Sequence, residues 1–490
     1  MEHPTRVEEF SPAEAARAVA PRPPEPAPPP AAAAPAKPLP PLPNLPASDV
    51  VFLRPSDAHY ADYLPAANKR TQLSPALRAV CKTAHAVAVL VDWVRSNDLG
   101  FAVRCGGHSY EGFSQSRDVV IDLRGVSAIT VDKTAGTVTI GSGASLFHIY
   151  QALAAQGLAL QAGSCPTVGI SGHILGGGHG LLARSHGLTC DSLRQVTLVD
   201  AKAQTLQANA TSNPDLFWAC RGGGGGSFGI ATQFVLNVFP LKSALVFGVS
   251  WTLSQAHAAR MFAAWQSWAP GAPSNITSIM KVGPAGNGAI TMRCIGQSVG
   301  TESELRSNLA TLVRLDSPSR PLVVQVLGFL DAVKHFAGPL DYDSEFMKAK
   351  SDYVLSPLGS DAIAAMMAAV AAVPVGGIAL LCDAYGGKIA DVAADATAFP
   401  RRAGTQFCIQ YYSSWARATD TPAHVANVAK VYAAMRPYMP GASYVNYCDL
   451  DLPDFATAYW GQNLARLSAV KKACDPANVF HHAQSVPVAA

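Results

Sequence analysis

Two glycine-framed segments, whose central nucleophiles stand 57 residues apart, constrain this chain more than any other feature. The first reads Arg104-Cys105-Gly106-Gly107-His108-Ser109-Tyr110-Glu111-Gly112. The second runs from Cys165-Pro166-Thr167-Val168-Gly169 into Ser171-Gly172-His173 and Gly176-Gly177-Gly178-His179-Gly180. Glycine has no Cβ, so its backbone can approach a flat or anionic ligand closely. Each frame holds one nucleophilic side chain, His108 or Cys165. A third frame, Gly222 to Gly226, runs into Ser227-Phe228-Gly229-Ile230 between two apolar segments, which favours a backbone that wraps a ligand. It lacks the strand–GxGxxG–helix spacing and the lysine of the common nucleotide loops, so neither a Rossmann-type NAD site nor a P-loop is expected.

The chain has 490 residues, 49% of them hydrophobic and 14% charged, enough for a large core divided between two domains. A net charge of +3 is too mild to argue for nucleic acid or an anionic membrane surface. No apolar run approaches the ~20 residues of a membrane helix. The ten cysteines are scattered without a CxxC pair, which reads as neither a zinc site nor a dense disulfide framework. Residues 1–48 differ from the rest, because Pro23 to Pro46 is mostly proline and alanine. Such a segment favours extended polyproline II and cannot build a core, so a disordered tail or linker is expected, with a docking segment as the alternative. It lacks the basic start and unbroken apolar stretch of a secretory signal. The compartment stays open, with the cytoplasm the favoured expectation, and so does the oligomeric state.

Folded sequence begins near Asp49. Ala86, Val87, Leu90, Trp93 and Val94 recur at helical spacing within Thr83 to Asn97. Strands are expected at 101–105, 119–122, 129–131, 137–140 and 196–199, and Ser145 is placed to cap a helix through Gln156. From about Leu241 strand-like runs (244–251, 289–296, 378–385, 406–412) alternate with helical ones (254–268, 302–315, 361–372). That alternation suggests a second layer, an antiparallel sheet covered by helices. A last helix is expected from Thr457 to Ala473.

The paired motifs, with Tyr444-Val445-Asn446-Tyr447 and Asp475-Pro476-Ala477-Asn478-Val479-Phe480, resemble the berberine-bridge-enzyme-like branch of the FAD-linked oxidases, in the vanillyl-alcohol-oxidase superfamily. The resemblance spans about Val51 to Val488. It implies an α+β fold in two domains: an FAD-binding domain over 49–240, a substrate domain over 241–440 whose antiparallel sheet is covered by helices, and a return of 441–490 to the FAD domain. It implies FAD bound covalently twice, through His108 to the 8α-methyl carbon and through Cys165 to C6 of the flavin. Further cofactor contacts are expected from Arg104, Gly106, Gly107, Ser109, Val168, Gly169, Ser171, Gly172, His173, Gly177, Gly178, Gly180, Gly229, Ile230 and Asn478. By the same resemblance His173 serves the N1–C2=O edge, where a donor stabilises the negative charge of the reduced ring. His173, His179 and His186 have no acidic partner at a known ligand spacing, so no metal is expected.

Either Tyr444 or Tyr447 suits a catalytic base by spacing, and the resemblance favours Tyr447. A phenol's ordinary pKa is about 10, so it must be lowered, or the proton must leave with the hydride. Tyr110 would share the face of His108 on a strand. Cys408, Gln410 and Tyr412 also alternate on one face, where relatives bind substrate, sometimes with Glu or Lys. This chain offers neutral side chains there, which leaves Tyr447 more solitary. Val168 resembles the residue of oxygen-reactive members. The expectation is a flavin oxidase that takes hydride from an alcohol or sugar hemiacetal carbon and passes electrons to O2, giving hydrogen peroxide. Oxidative cyclisation of a specialised metabolite and non-catalytic binding of flavin or carbohydrate are the alternatives.

Overall fold

The computed structural model describes residues 39–337 and 345–489. A four-stranded sheet runs in the order Val50–Leu53, Leu77–Cys81, Val119–Asp122, Phe101–Arg104. Its last three strands are parallel. Parallel strands are covered on both faces, and Leu77–Cys81 and Val119–Asp122 are accordingly buried at every position. The crossover from Leu77–Cys81 to Phe101–Arg104 uses helix Ala84–Ser96, where the Thr83 side chain accepts the Ala86 N–H and caps the first turn. This βαβ unit ends at Arg104, so it delivers the chain directly into the His108 loop.

A five-stranded antiparallel sheet follows in the order Ile129–Asp132, Thr137–Gly141, Ile230–Asn237, Leu193–Val199, Thr205–Asn209. The five-glycine run lies just before Ile230, at the head of the central strand. Ser145 caps helix Leu146–Ala154 as its sequence position suggested.

The third sheet has seven strands, ordered Arg320–Gly328, Ser243–Leu253, Ala289–Ser298, Ile276–Gly286, Ala379–Ala384, Phe407–Trp415, Phe346–Val354, all antiparallel. Side chains alternate across it. One face (Phe247, Met280, Met292, Leu380, Ile409) packs under helices Gln255–Trp268, Glu302–Leu315, Ser360–Ala371 and Thr421–Met435. The other face carries Ile279, Lys281, Asp383 and Gln410 toward the first domain. Both edge strands escaped the sequence pattern. Phe346–Val354 contains Lys348, Lys350 and Asp352 and reads as polar, yet it is almost wholly buried, because its lysines find carboxylates.

Two expectations need correction. The expected tail reaches residue 48, but from Leu39 onward the chain is docked. Leu39, Leu42 and Leu45 pack against the core beside helix Ala84–Ser96, and Trp93 Nε1 donates to the Pro41 carbonyl at 2.9 Å. Polyproline II repeats every three residues, so leucines at that spacing share one edge. Residues 1–38 lie outside the described residues. The C-terminal helix is interrupted: Phe455–Trp460 and Leu464–Cys474 are separated by Gly461 at φ +47°, a left-handed conformation that no helix continues.

The last segment is anchored by one buried ammonium. Lys471 Nζ donates to Asp475 Oδ2 (2.6 Å), Ser227 O (2.7 Å) and Phe480 O (2.6 Å). Those acceptors use its three protons in full. Asp475 in turn accepts the N–H groups of Val479 and Phe480. The Asp-Pro-x-Asn motif is thus a turn lock, with Asn478 at φ +52°. Lys471→Met strips the countercharge from buried Asp475 and is expected to cost about 3–5 kcal/mol, read as a lowered unfolding midpoint in urea.

Candidate active site

The two glycine frames pack backbone against backbone. A Cβ on Gly106 would strike the Gly169 amide, and a Cβ on Gly169 would strike Cys105 Sγ. Gly107, at φ +71°, leaves room for the Arg104 guanidinium, whose nearest nitrogen would stand 2.7 Å from a Cβ there. Arg104 does not line the cavity as expected. It is buried beneath the loop and donates to the carbonyls of Tyr63, Leu64 and Pro65. It therefore acts on His108 at second hand. Burial first, and the Arg104 charge second, pull the His108 pKa down to about 4, so the imidazole is neutral and keeps a lone pair. Nε2 of His108 lies 2.8 Å from Thr167 Oγ1, which ties one nucleophile's loop to the other's. Cys165 faces open cavity space but lies deep in the molecule. Burial raises its thiol pKa, and the Lys281 ammonium works against that rise.

Both nucleophiles face one cavity of about 460 Å³. Gly106, Gly107, Ser109, Val168, Gly169, Ser171, Gly172, Gly180 and Gly229 also line it. Gly223 to Gly226 line it too. Gly172 has nothing within 4 Å of where a Cβ would stand, and a Cβ on Gly225 would lie 3.9 Å from Gly172 Cα. Side chains at either position would fill the space, so the glycines keep a trough open between two backbones. Its glycine-lined walls fit an elongated cofactor with a flat ring and a diphosphate. The Gly163 N–H donates to His173 Nε2 at 3.1 Å, which makes Nε2 an acceptor and leaves the neutral ring's proton on Nδ1. Burial holds His173 neutral, with a pKa of about 4.

Several expected cofactor contacts are structural instead. Gly177 (φ +111°) avoids the Phe399 ring, and Gly178 (φ +82°) donates its N–H to the Tyr444 hydroxyl at 3.1 Å. Ile230 belongs to the core beside Phe480, and Asn478 turns the chain. None of these four lines the cavity. His179 does, stacked on Tyr385, whereas His186 stacks on Phe239 away from the cavity wall.

The seven-stranded sheet and the Tyr444–Tyr447 turn form the roof. Tyr110 and Tyr447 lie parallel, 4° apart, with ring centroids 5.7 Å apart. Gln410 Nε2 donates to the Tyr110 hydroxyl at 2.8 Å. Cys408 and Tyr412 share the strand face of Gln410 but do not line the cavity; Cys408 is packed in the core. The hydroxyls separate the two tyrosines that spacing left equivalent. Tyr444 accepts from Gly178 N and Asn446 Nδ2, so its oxygen is a structural acceptor. Tyr447 donates to Asp383 Oδ2 at 3.4 Å.

Asp383 was missed in the sequence, and Tyr447 is less solitary than expected. The carboxylate comes from the neighbouring strand, where Asp383 lies directly opposite Cys408. Burial lifts its pKa to about 7, opposed by the Tyr447 hydroxyl and by Lys281. Burial, then the Asp383 charge, drive Tyr447 well above its ordinary value. A signal was available: in Ala379–Ala384 the even positions are core residues, so Asp383 is the lone charge on the opposite face of an apolar strand.

The described geometry agrees with what this chain is similar to. The model of the FAD binding domain family matches residues 75–209, and that of the berberine and berberine-like family matches residues 443–487. An uncharacterized FAD-linked oxidoreductase of Bacillus subtilis, YgaK, is 32% identical over 84% of this chain and 91% of its own length. Reticuline oxidase of Eschscholzia californica is 29% identical, over 80% of each chain. Among solved structures, Physcomitrella patens BBE-like 1 superposes with a TM-score of 0.84 at 31% identity, covering 91% of this chain and 98% of that one. Berberine bridge enzyme from Eschscholzia californica does so with a TM-score of 0.83 at 26% identity, covering 90% and 97%. Since Gly172 faces open space, Gly172→Leu is expected to leave the melting temperature nearly unchanged while lowering flavin content more than tenfold, measured by absorbance of the purified protein.

Proposed function

This chain belongs to the berberine-bridge-enzyme-like family of FAD-linked oxidoreductases, and on that premise we propose that it is an oxidase of hydroxylated carbons, an alcohol or a sugar hemiacetal, yielding a carbonyl or lactone. The observation that carries the reading is the Tyr447–Asp383 pair at the cavity wall. Its carboxyl pKa of about 7 suits a group that must accept a proton near neutrality.

FAD, when bound, supplies the hydride acceptor. His108 and Cys165 are the side chains that would hold it covalently, and the Nδ1–H of His173 would offer a donor to its polar edge. The protein's own part is proton management. A substrate hydroxyl placed against Tyr447 gives its proton to the phenol oxygen as the C–H bond breaks. The phenol's proton moves at the same time to Asp383 Oδ2. The substrate thus loses a hydride and a proton and becomes a carbonyl, and no free phenolate forms. This relay answers the high phenol pKa, since the proton comes to rest on the carboxylate. Tyr110, held by Gln410 and parallel to Tyr447, forms an aromatic wall suited to the face of a sugar ring. Val168, three residues past Cys165, supports O2 as the final acceptor, with hydrogen peroxide as product.

A carboxylate is required, so flavin reduction is expected to fall about tenfold per unit as pH drops below about 7. Asp383→Asn and Tyr447→Phe are each expected to slow anaerobic flavin reduction by about 10²–10⁴-fold while retaining flavin, measured by stopped-flow absorbance. Acid-precipitated protein should be yellow. The colour should survive His108→Ala or Cys165→Ala alone and vanish when both are replaced. A peroxide-coupled screen of sugars and primary alcohols tests the reaction itself. A product with a new ring in place of a carbonyl would assign oxidative cyclisation instead.

A further inference from the structure

We propose that Lys281 is the positioning residue that keeps Asp383 ionised while Tyr447 works, an inference that rests on reading Asp383 as the proton acceptor. In the sheet register Lys281 stands opposite Leu381, and Asp383 opposite Ile279. Lys281 and Asp383 are therefore diagonal neighbours on the cavity-side face, a separation of about 7–8 Å between backbones that a lysine spans easily. Among the described residues the Lys281 ammonium makes no hydrogen bond and no ion pair within 4 Å. Directly across from it stands Arg293, a like charge. Two cations face to face, one without a close partner, are unfavourable unless a negative charge forms nearby.

That charge is Asp383. The titratable groups acting on or through it come from four elements. Tyr447 approaches from the turn Val445–Tyr447, Cys408 from the opposite strand, Cys382 and Tyr385 from beside it in sequence, and Lys281 from strand Ile276–Gly286. Of these only Lys281 is a cation. Tyr447 acts by hydrogen bond, and the two thiols are neutral, their pKa values driven far up by burial. Burial and Arg293 also pull Lys281 itself down to about 8, while Asp383 and Cys165 pull it back up. The cation and the carboxylate thus sustain one another: protonating Asp383 removes the anion that keeps Lys281 charged, and discharging Lys281 raises Asp383.

The first readout needs no substrate. Infrared difference spectra of the flavin-loaded protein, recorded across pH, report the protonated carboxyl band that Asp383→Asn abolishes. In Lys281→Met its midpoint is expected to rise by about one to three units, and in Lys281→Arg to stay near that of the natural protein. The acid limb of anaerobic flavin reduction should move with it, whereas loss of packing would lower the rate equally at all pH. An unmoved midpoint in flavin-loaded Lys281→Met, or equal shifts in the Met and Arg variants, overturns the proposal. Should Lys281→Met fail to hold flavin, Lys281→Gln, neutral but polar, gives a second route. The Asp383 midpoint should rise there as well. A fall or no change there refutes the idea. A shifted midpoint together with undiminished turnover in Asp383→Asn would overturn the catalytic reading alone.

Discussion

The site depends on a buried ionic knot where three segments meet. Lys348 Nζ binds Glu111 Oε1 and Asp449 Oδ1, both at 2.7 Å, and Lys350 Nζ binds Asp449 Oδ2 at 2.7 Å. Glu111 follows Tyr110 directly, Asp449 lies two residues past Tyr447, and both lysines sit on the edge strand of the seven-stranded sheet. The knot therefore joins the cofactor-side loop, the tyrosine turn and the substrate-side sheet at one point. Arg70 closes it from outside by binding Glu111 Oε2 at 2.7 Å. Removing such charges from water costs about as much as their pairing returns. Its value is geometric: Lys348 ties together the neighbours of Tyr110 and Tyr447, whose rings lie parallel.

The same desolvation explains the chemistry. Around the cavity, burial disfavours every charged form: His108 and His173 are held neutral, and the thiol of Cys165 and the phenol of Tyr447 are pushed up. A phenol in such a place is a poor base by itself. In the proposed relay its partner is a carboxylate, also raised by burial, at a pKa of about 7. One dielectric environment acts on both groups, and the hydrogen bond joins them.

Glycine plays two different parts in this fold, and only one was legible as such. Gly172 keeps space for a ligand, whereas Gly177 and Gly178 keep space for Phe399, Thr189 and His173. In a sequence the two uses look alike, because both are absences of a side chain. Arg104 shows the same ambiguity for a charge: beside the histidine motif it reads as a cofactor contact, but its guanidinium turns inward to backbone carbonyls.

By itself the sequence determined the family and the glycine frames, and it marked His108, Cys165 and the tyrosine turn as candidates. Those are local properties: residue identity at fixed spacing, and backbone freedom that needs no distant partner. The helix cap at Ser145 was legible for the same reason. Tertiary structure alone decided which tyrosine hydroxyl meets a carboxylate, which strand supplies that carboxylate, and how far burial raises its pKa. Tyr447 and Asp383 are 64 residues apart and meet only through sheet register and domain docking. The acidity of Asp383 is not written in its residue type, since it arises from the water that folding removes and from the lysine that folding brings near.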